Sequence, residues 1–245
     1  MCAGLKSSGS TWLYNAVIEL MKASARASGD PRQIKPLYAE DVKAFPSAAK
    51  RGDCLIVKTH IPSPALQFLV RFTGGPVFIT VREPRDAIAS LMQRFDHKFD
   101  VCLEEVSAGA TAILELANSG RFLQLRYESN FTAKRGTLSK IASHLKVAIN
   151  SNERKKIHLH LTPENVSRKI EALRRKGVFG RRHDPNRFDP VTQWHPGHMG
   201  DGRIGKYNEI LSLPQQRTVL KRLREYCRTF GYPGLLASNP ATRRK

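Results

Sequence analysis

Short apolar runs alternate with longer stretches of mixed polarity along most of the chain. The apolar runs lie at residues 1–3, 54–57, 76–81 and 121–127. Each is too short for a typical helix, and the two central runs are apolar at almost every position, which is typical of strands buried on both faces. Strands that alternate with helices predict an α/β domain with a central parallel sheet flanked by helices.

The stretches between these strands have the spacing of amphipathic helices. The predicted helices lie at residues 11–24, 63–72, 87–95, 103–118, 132–145, 152–161, 163–176 and 214–230. Residues 25–53 are predicted to begin as a loop around 28–31, with one short helix at 39–45 and a turn at 51–53. Residues 177–200 contain several glycines and prolines and are expected to form a mobile loop over the functional site, and the basic tail at 236–245 is expected to fray.

Length and composition favour one domain, 1–245, with a proper core, because 40% of the 245 residues are hydrophobic. No run approaches the ~18 apolar residues of a membrane span, and no signal peptide is visible at the start. The four cysteines are widely spread and form no CxxC pair. This wide spacing of the cysteines predicts reduced, structural thiols and a cytoplasmic location.

The charge balance changes the list of expected partners. Lys and Arg number 41 against 21 Asp and Glu, for a formal net charge of +20. Such a charge favours anionic partners: nucleotides, phosphorylated or sulfated glycans, an anionic membrane surface touched peripherally, or nucleic acid. The sequence contains no recognisable nucleic-acid module, so no specific nucleic-acid binding is expected.

The first candidate site is the glycine-rich stretch GLKSSGSTW at residues 4–12. A strand precedes it and a helix follows, so it predicts a P-loop-like turn whose backbone N–H groups hold a phosphate at a helix N-terminus. The lysine that an ATP or GTP P-loop carries after its second glycine is replaced here by Ser10. That replacement argues against an ordinary NTPase.

Two further strands end in residues suited to chemistry. Lys58 and His60 follow the strand at 54–57, and Arg82 follows the strand at 76–81. Ligands of open α/β sheets bind at the carboxyl ends of the strands. His60 is therefore a candidate general base, and Arg82 with Ser90 of the next helix could grip one phosphate from two sides.

A third basic region lies late in the chain. Residues 168–187 are rich in Arg and Lys, and Gly200, Gly202 and Gly205 stand beside Arg203 and Lys206, which suggests a second anion cradle. The histidines of the run HPGHMGDG at 195–202 have no third ligand at zinc-like spacing, so no metal is expected.

Together these segments resemble the sulfotransferases that use 3′-phosphoadenosine 5′-phosphosulfate (PAPS). The resemblance rests on KSSGSTW at 6–12, KTHIP at 58–62, REPRDAIAS at 82–90, YES at 127–129 and GRIG at 202–205. Their order and spacing agree with the family, and the run at 195–202 is more similar to bacterial members than to animal cytosolic ones.

The resemblance implies a complete set of site residues. His60 is the base, and Lys58 or Lys6 offsets charge on the leaving phosphate. The donor is held by Ser7, Ser8, Gly9, Ser10, Thr11, Trp12, Arg82, Ser90, Tyr127, Gly202, Arg203 and Gly205. PAPS is the sulfate donor, adenosine 3′,5′-bisphosphate (PAP) is the product, and no metal is required.

The sequence departs from the family at several places, including Tyr207 and Asn208, which stand where the family has Trp and Lys. Ser7 stands where the family's loop has its lysine, with Lys6 one position early. Gly200 and Asp201 stand where the family has Arg and Lys, so charge for the 3′-phosphate must come from Arg203, Lys206 or the basic loop.

Two rival functions remain open at this point. One is a P-loop kinase, and the other is a non-enzymatic binder of polyanions or nucleic acid. The acceptor of a sulfotransferase would be hydroxyl-bearing or anionic, such as a glycan or lipopolysaccharide, and the candidate acceptor loops are 25–50, 95–105 and 168–200.

Overall fold

The computed structural model describes residues 1–48, 50, 52–118, 120–180 and 187–233, which form one α/β domain. Its five strands are β1 (Cys2–Gly4), β2 (Ile34–Tyr38), β3 (Cys54–Thr59), β4 (Val77–Val81) and β5 (Phe122–Arg126). They pair in the order β2-β3-β1-β4-β5, and every pair is parallel. The predicted central parallel sheet is therefore confirmed.

Eleven α-helices lie within the described ranges. They are α1 (Ser10–Ser28), α2 (Phe45–Ala48), α3 (Pro64–Thr73), α4 (Pro84–Phe95), α5 (Phe99–Ala117), α6 (Arg135–Leu145), α7 (Ser151–His160), α8 (Pro163–Arg175), α9 (Tyr207–Ile210), α10 (Leu213–Arg222) and α11 (Arg224–Phe230). Several begin at a side-chain cap: Ser63, Thr162 and Ser212 accept backbone N–H groups before α3, α8 and α10. Each cap satisfies one of the N–H groups that a helix start leaves without an intrahelical partner.

The helices cover both faces of the sheet and create two cores. Cys2 and Phe78 pack with α1 and α6 to α8 on one face. Ala3 and Ile79, the next residues along the same strands, pack with α4, α5, α10 and α11 on the other face. Successive side chains of a strand point to opposite faces, so the apolar runs of the sequence serve both cores.

The sheet order brings three loops to one edge. β3 and β4 flank the central β1, and the strands are parallel, so the loops after β1, β3 and β4 leave side by side. This is the edge at which open α/β sheets bind ligands.

The sequence pattern predicts no strand in residues 25–53, but β2 lies there. β2 contains Lys35 and Pro36, which hide its strand character, and it is an edge strand, where proline is tolerated. The short helix predicted at 39–45 is a 3-10 turn at Val42–Ala44 followed by α2.

The single helix predicted at 214–230 is also wrong. The chain divides there into α10 and α11 at Leu223, which is buried. The break allows α10 to pack on α4 and α11 to pack on α5. The sequence carries no proline or glycine at this point, so the break reflects tertiary packing.

The described helices include none long and apolar enough to cross a membrane. All four cysteines are free thiols, and three of them are buried. Part of the loop expected at 177–200, residues 181–186, and the tail expected to fray at 236–245 lie outside the described residues.

Candidate functional site

The turn between β1 and α1 is fixed by close packing. Ser8 Oγ donates to the carbonyl of Leu5 at 2.5 Å and lies 2.6 Å from Thr80 Oγ1. A Cβ at Gly4 would lie 2.1 Å from the same threonine hydroxyl, so only glycine fits there. Gly9 has a φ of 82° and directly precedes α1. The first N–H groups of α1 have no intrahelical acceptors, so the turn offers donors to an anion.

The predicted loop residues lie in this turn and in the first turn of α1. The Ser8 N–H bonds to the Leu5 carbonyl at 3.1 Å, so Ser8 serves the turn itself. Ser10 is buried, and Thr11 is half-buried. The indole N–H of Trp12 donates to the carbonyl of Leu161 at 3.2 Å, which fixes the ring beside the turn.

His60 is attached to the root of this turn. Its Nδ1 lies 2.6 Å from the carbonyl oxygen of Gly4. A carbonyl can only accept, so Nδ1 carries the proton and Nε2 keeps its lone pair. Lys58 Nζ lies 3.2 Å from that Nε2. Burial, and then the charge of Lys58, lowers the pKa of His60 well below 6.5, so the ring is neutral at pH 7.

Lys58 is a buried cation beside this base. Its side chain lies over the ring of Tyr38, with Nζ 5.1 Å from the ring centroid. Burial lowers the pKa of Lys58 to about 8, and the negative charge of Glu40 opposes that shift. Lys58 is therefore mostly charged at pH 7 and loses its proton soon above it.

Glu40 holds the His60 loop and was missed by the sequence analysis. Its carboxylate accepts the backbone N–H groups of His60 and Ile61, the latter at 2.7 Å. It also accepts the hydroxyls of Tyr38 and Thr59. Glu40 lies just after β2 in a stretch predicted as loop and short helix, where no motif singled it out.

Arg82 joins the turn to the glycine-rich loop at residues 202–205 (the late loop). It is 2% exposed, and it donates to the carbonyls of Ser7 at 2.9 Å and Arg203 at 3.0 Å. Its guanidinium stacks 4.1 Å from the ring centroid of Tyr127. Its Nε is buried without a hydrogen-bond partner. Ser90, also predicted, is buried on α4.

Arg94, a second arginine at the turn, was also missed. It projects from α4, one helical turn after Ser90, and its Nη1 lies 3.4 Å from Ser7 Oγ. It also donates to the carbonyl of Gly197 at 2.8 and 3.0 Å, and its Nη2 lies 3.4 Å from His195 Nε2. The i, i+4 spacing of Ser90 and Arg94 is a signal that could have found it.

The late loop is held by Asp86 at the start of α4. This fully buried carboxylate accepts the N–H groups of Gly205 at 2.7 Å and Tyr207 at 3.1 Å. Lys206, predicted as part of an anion cradle, is buried and paired with Asp201. Tyr127 donates its hydroxyl to the carbonyl of Gly202 at 3.4 Å.

The side chains of two cations predicted at the site point away from the turn. Lys6 pairs with Glu105 of α5 at 2.9 Å. The Arg203 side chain pairs with Asp201 at 3.0 Å and Glu209 at 2.8 Å, so only its backbone carbonyl reaches Arg82. The structure thus brings Lys58, His60 and Arg82 to the turn directly and leaves the Lys6 and Arg203 side chains in ion pairs.

His195 and His198 pack against each other beside Arg94. Their rings meet edge-on at 5.2 Å, and each Nδ1 is buried without a partner. Burial, and then the charge of Arg94, lowers the pKa of His195 to about 3. Within the described residues, no cluster of three or more His, Cys, Asp or Glu is placed to hold a metal.

The residues at this edge suit a ligand with more than one acidic group. A helix N-terminus, the unsatisfied Nε of Arg82 and the guanidinium of Arg94 lie around Ser7, and Trp12 offers an aromatic face nearby. A buried donor without a partner is costly unless an acceptor binds it. A nucleotide that carries separate phosphate groups fits this arrangement.

Comparisons with known proteins identify the same fold. No family model matches the chain, and no curated protein matches it in sequence. The chain is similar in structure to the mouse sulfotransferase SULT7A1 complexed with PAP, with a TM-score of 0.64 and 18% identity, over 92% of this chain and 82% of that one.

Retinol dehydratase has the fold as well. Its complex with androsterone and the inactive cofactor PAP has a TM-score of 0.64 and 13% identity, over 98% of this chain and 82% of the dehydratase. Its complex with retinol and PAP has a TM-score of 0.63 and 13% identity, over 97% and 82%. The chain therefore has the α/β fold of these proteins.

Proposed function

We propose that the chain transfers a sulfuryl group from PAPS to a hydroxyl or amine of an acceptor, with His60 as general base. One observation carries the proposal: Nδ1 of His60 is fixed on the carbonyl of Gly4, at the root of the anion-binding turn, while Nε2 keeps its lone pair. A base attached to that turn is positioned to deprotonate a nucleophile that attacks there. The fold shared with PAP-bound sulfotransferases supports the choice of donor.

Different residues of the chain have different roles in the transfer. When bound, PAPS supplies an activated sulfuryl group. His60 Nε2 takes the proton of the acceptor hydroxyl as that oxygen attacks, which requires the neutral ring that burial favours. The N–H groups at the start of α1 orient the donor, so positioning and electrostatics supply most of the rate.

Lys58 is the better candidate for the charge on the leaving phosphate. It lies 3.2 Å from His60 Nε2, whereas Lys6 is paired with Glu105. An acceptor hydroxyl would replace Lys58 on Nε2 and free its ammonium for the phosphate. Lys6 would contribute through its longer-range charge, which already acts on the pKa of both His60 and Lys58.

Arg82 and Ser90 hold the 3′-phosphate in this proposal. The unsatisfied Nε of Arg82 is a donor for it, and the loop from Gly202 to Gly205 approaches through backbone groups. Trp12 offers a face for adenine, and Tyr127 bounds the same space.

The acceptor follows from charge and from the loops near the site. A net charge of +20 suits an anionic acceptor such as a glycan or lipopolysaccharide, reached in the cytoplasm or at an anionic membrane surface. The described parts of the loop expected at 177–200, residues 177–180 and 187–200, would cover the site within the single domain. The run at 195–202 supports a bacterial-type enzyme.

A thermal-shift comparison tests the donor. PAP at 100 times its Kd should raise Tm by about 5–10 °C, since such an excess stabilises by about 2.7 kcal/mol. Magnesium-ATP at the same concentration should raise it far less. Arg82→Met should remove most of the PAP shift, and Arg217→Met, on the exposed face of α10, should keep it.

The rival functions predict other outcomes. A kinase would be stabilised by magnesium-ATP more than by PAP. A polyanion binder would respond to generic DNA or RNA with a steep salt dependence and would not distinguish PAP from other anions.

A further inference from the structure

Two guanidinium groups converge on Ser7 from opposite sides of the turn. Arg82 Nη1 donates to the Ser7 carbonyl at 2.9 Å, and Arg94 Nη1 lies 3.4 Å from the Ser7 hydroxyl. The second terminal nitrogen of Arg82, Nη2, donates to the carbonyl of Arg203 in the late loop. The second terminal nitrogen of Arg94, Nη2, contacts His195 and the carbonyl of Gly197.

Among the described residues, no carboxylate pairs with either guanidinium. The described polar partners of Arg94 are two carbonyl contacts with Gly197, one hydroxyl and one imidazole nitrogen, and those of Arg82 are two carbonyls. Burial, and then the charge of Arg82, lowers the pKa of Arg94. Buried Arg82 and half-buried Arg94 repel each other near Ser7, and an anion between them would relieve that cost.

The surroundings of Arg94 are polar but unsatisfied. His195 is 4% exposed, its Nδ1 has no partner, and its Nε2 faces Arg94. Arg82 is equally buried, and its Nε is unsatisfied. Ser7, which both arginines contact, lies three residues before the start of α1, and a helix N-terminus favours negative charge.

We propose that Arg94 binds the 5′-phosphosulfate end of the donor, on the Ser7 side of the turn. The planar fork of arginine suits two oxygens of such a group, and its charge compensates for a turn whose own Lys6 is paired with Glu105. The inference rests on the proposed function, and it adds a residue that supplies the charge missing at Ser7.

The contacts favour the 5′ end over the 3′ end. Arg94 touches the side chain of Ser7, which belongs to the turn that holds the 5′ group. Arg82 contacts only the backbone carbonyl of Ser7, and its other contacts lie away from the turn, at Arg203 and Tyr127, where the 3′-phosphate is proposed to lie. The two arginines therefore recognise different ends of one ligand.

A cycle of variants and ligands tests this division. Wild type, Arg94→Met, Arg94→Lys, Arg82→Met and the surface control Arg217→Met are titrated with adenosine 5′-phosphate, adenosine 3′-phosphate and PAP. Arg94→Met should weaken binding of adenosine 5′-phosphate and PAP by about 10- to 100-fold, as expected for a lost charged hydrogen bond, and should leave adenosine 3′-phosphate unchanged. Arg94→Lys should recover part of the loss.

Arg82→Met should show the reverse selectivity, and the control should match wild type. The melting temperature of each variant without ligand reports whether it folds. If Arg94→Met does not fold, the binding measurements on Arg94→Lys test the proposal. Unchanged 5′-phosphate binding in a folded Arg94 variant, or a selective loss of 3′-phosphate binding, would overturn the assignment.

Inorganic pyrophosphate separates this inference from the proposed function. In one outcome, wild type binds none of the adenosine phosphates, while pyrophosphate stabilises it and Arg94→Met removes that effect. PAPS is then the wrong donor, but Arg94 still binds a diphosphate-like anion. If PAP binds normally to Arg94→Met, the donor stands and the Arg94 site is wrong. No binding of either probe to wild type would overturn both.

Discussion

At the scale of single residues, the site depends on a neutral histidine beside a buried lysine. Burial lowers the pKa of His60 well below 6.5 and that of Lys58 to about 8. Each shift favours the uncharged form. Between these two values the histidine can accept a proton while the lysine still carries its charge, which is the combination that base catalysis with charge neutralisation needs.

The pH dependence of kcat/KM for PAPS should show both groups. The rate should be constant near neutrality, fall only well below pH 6.5, where the lowered pKa of His60 lets it become protonated, and fall above about pH 8 as Lys58 loses its charge. The fall above pH 8 should be tenfold per pH unit for one group.

Lys58→Arg should remove the fall above pH 8, because arginine keeps its charge. Lys6→Arg is the matched control and should keep that fall. A basic limb that persists in Lys58→Arg and vanishes in Lys6→Arg would assign the role to Lys6 instead.

Sequence reasoning found residues that belong to motifs and missed residues that act through tertiary contacts. His60 and Arg82 follow strands directly, so their location could be predicted from the apolar runs before them. Glu40 and Arg94 reach the site from a loop after the edge strand and from the second half of a helix. No motif marks Glu40, and the i, i+4 spacing of Arg94 from Ser90 places the two on one helix face without showing that Arg94 reaches the turn.

At the scale of elements, α4 organises the site. Its first turn carries Asp86, its middle carries Ser90 and its last turn carries Arg94. Asp86 and Arg94 fix opposite ends of the region before α9, the first at Gly205 and Tyr207 and the second at Gly197. One helix thus connects the anion-binding turn with the late loop.

Asp86→Asn should therefore loosen the late loop. The amide would present a donor to one of two backbone N–H groups, and an unsatisfied buried group costs about 1–3 kcal/mol. We expect Tm to fall by about 3–10 °C and PAP binding to weaken, both measurable by thermal shift with and without PAP.

The control for this change is Glu104→Gln, which removes an exposed ion pair with Arg222 worth less than about 1 kcal/mol. If Asp86→Asn behaves like the control in both measurements, Asp86 does not hold the loop.

At the scale of the whole molecule, the alternation of apolar runs and helical stretches was enough to predict the fold. It did not reveal the strand order, because which strands pair is decided by contacts between distant residues. That order matters here, because placing β1 between β3 and β4 unites three loops that are far apart in sequence. The edge strand β2, with Lys35 and Pro36, lacked the apolar pattern of the buried strands.

The charge of the whole chain is compatible with an acidic acceptor as well as an acidic donor. Two of its cations, Arg82 and Arg94, lie at the site without carboxylate partners among the described residues, while exposed ones such as Arg203 are paired. Arg82 and Arg94 are cations that the proposed donor would neutralise.

The most direct measurement is transfer of labelled sulfate from PAPS to glycan, lipid and phenol acceptors, with PAP affinity measured in parallel for wild type and His60→Ala. Wild type should label at least one acceptor. His60→Ala should bind PAP within about twofold of wild type and transfer at least about 100-fold more slowly, as expected for a lost general base. A His60→Ala variant that keeps most of the rate, or a wild type that binds PAP and labels no acceptor, would contradict sulfuryl transfer with His60 as the base.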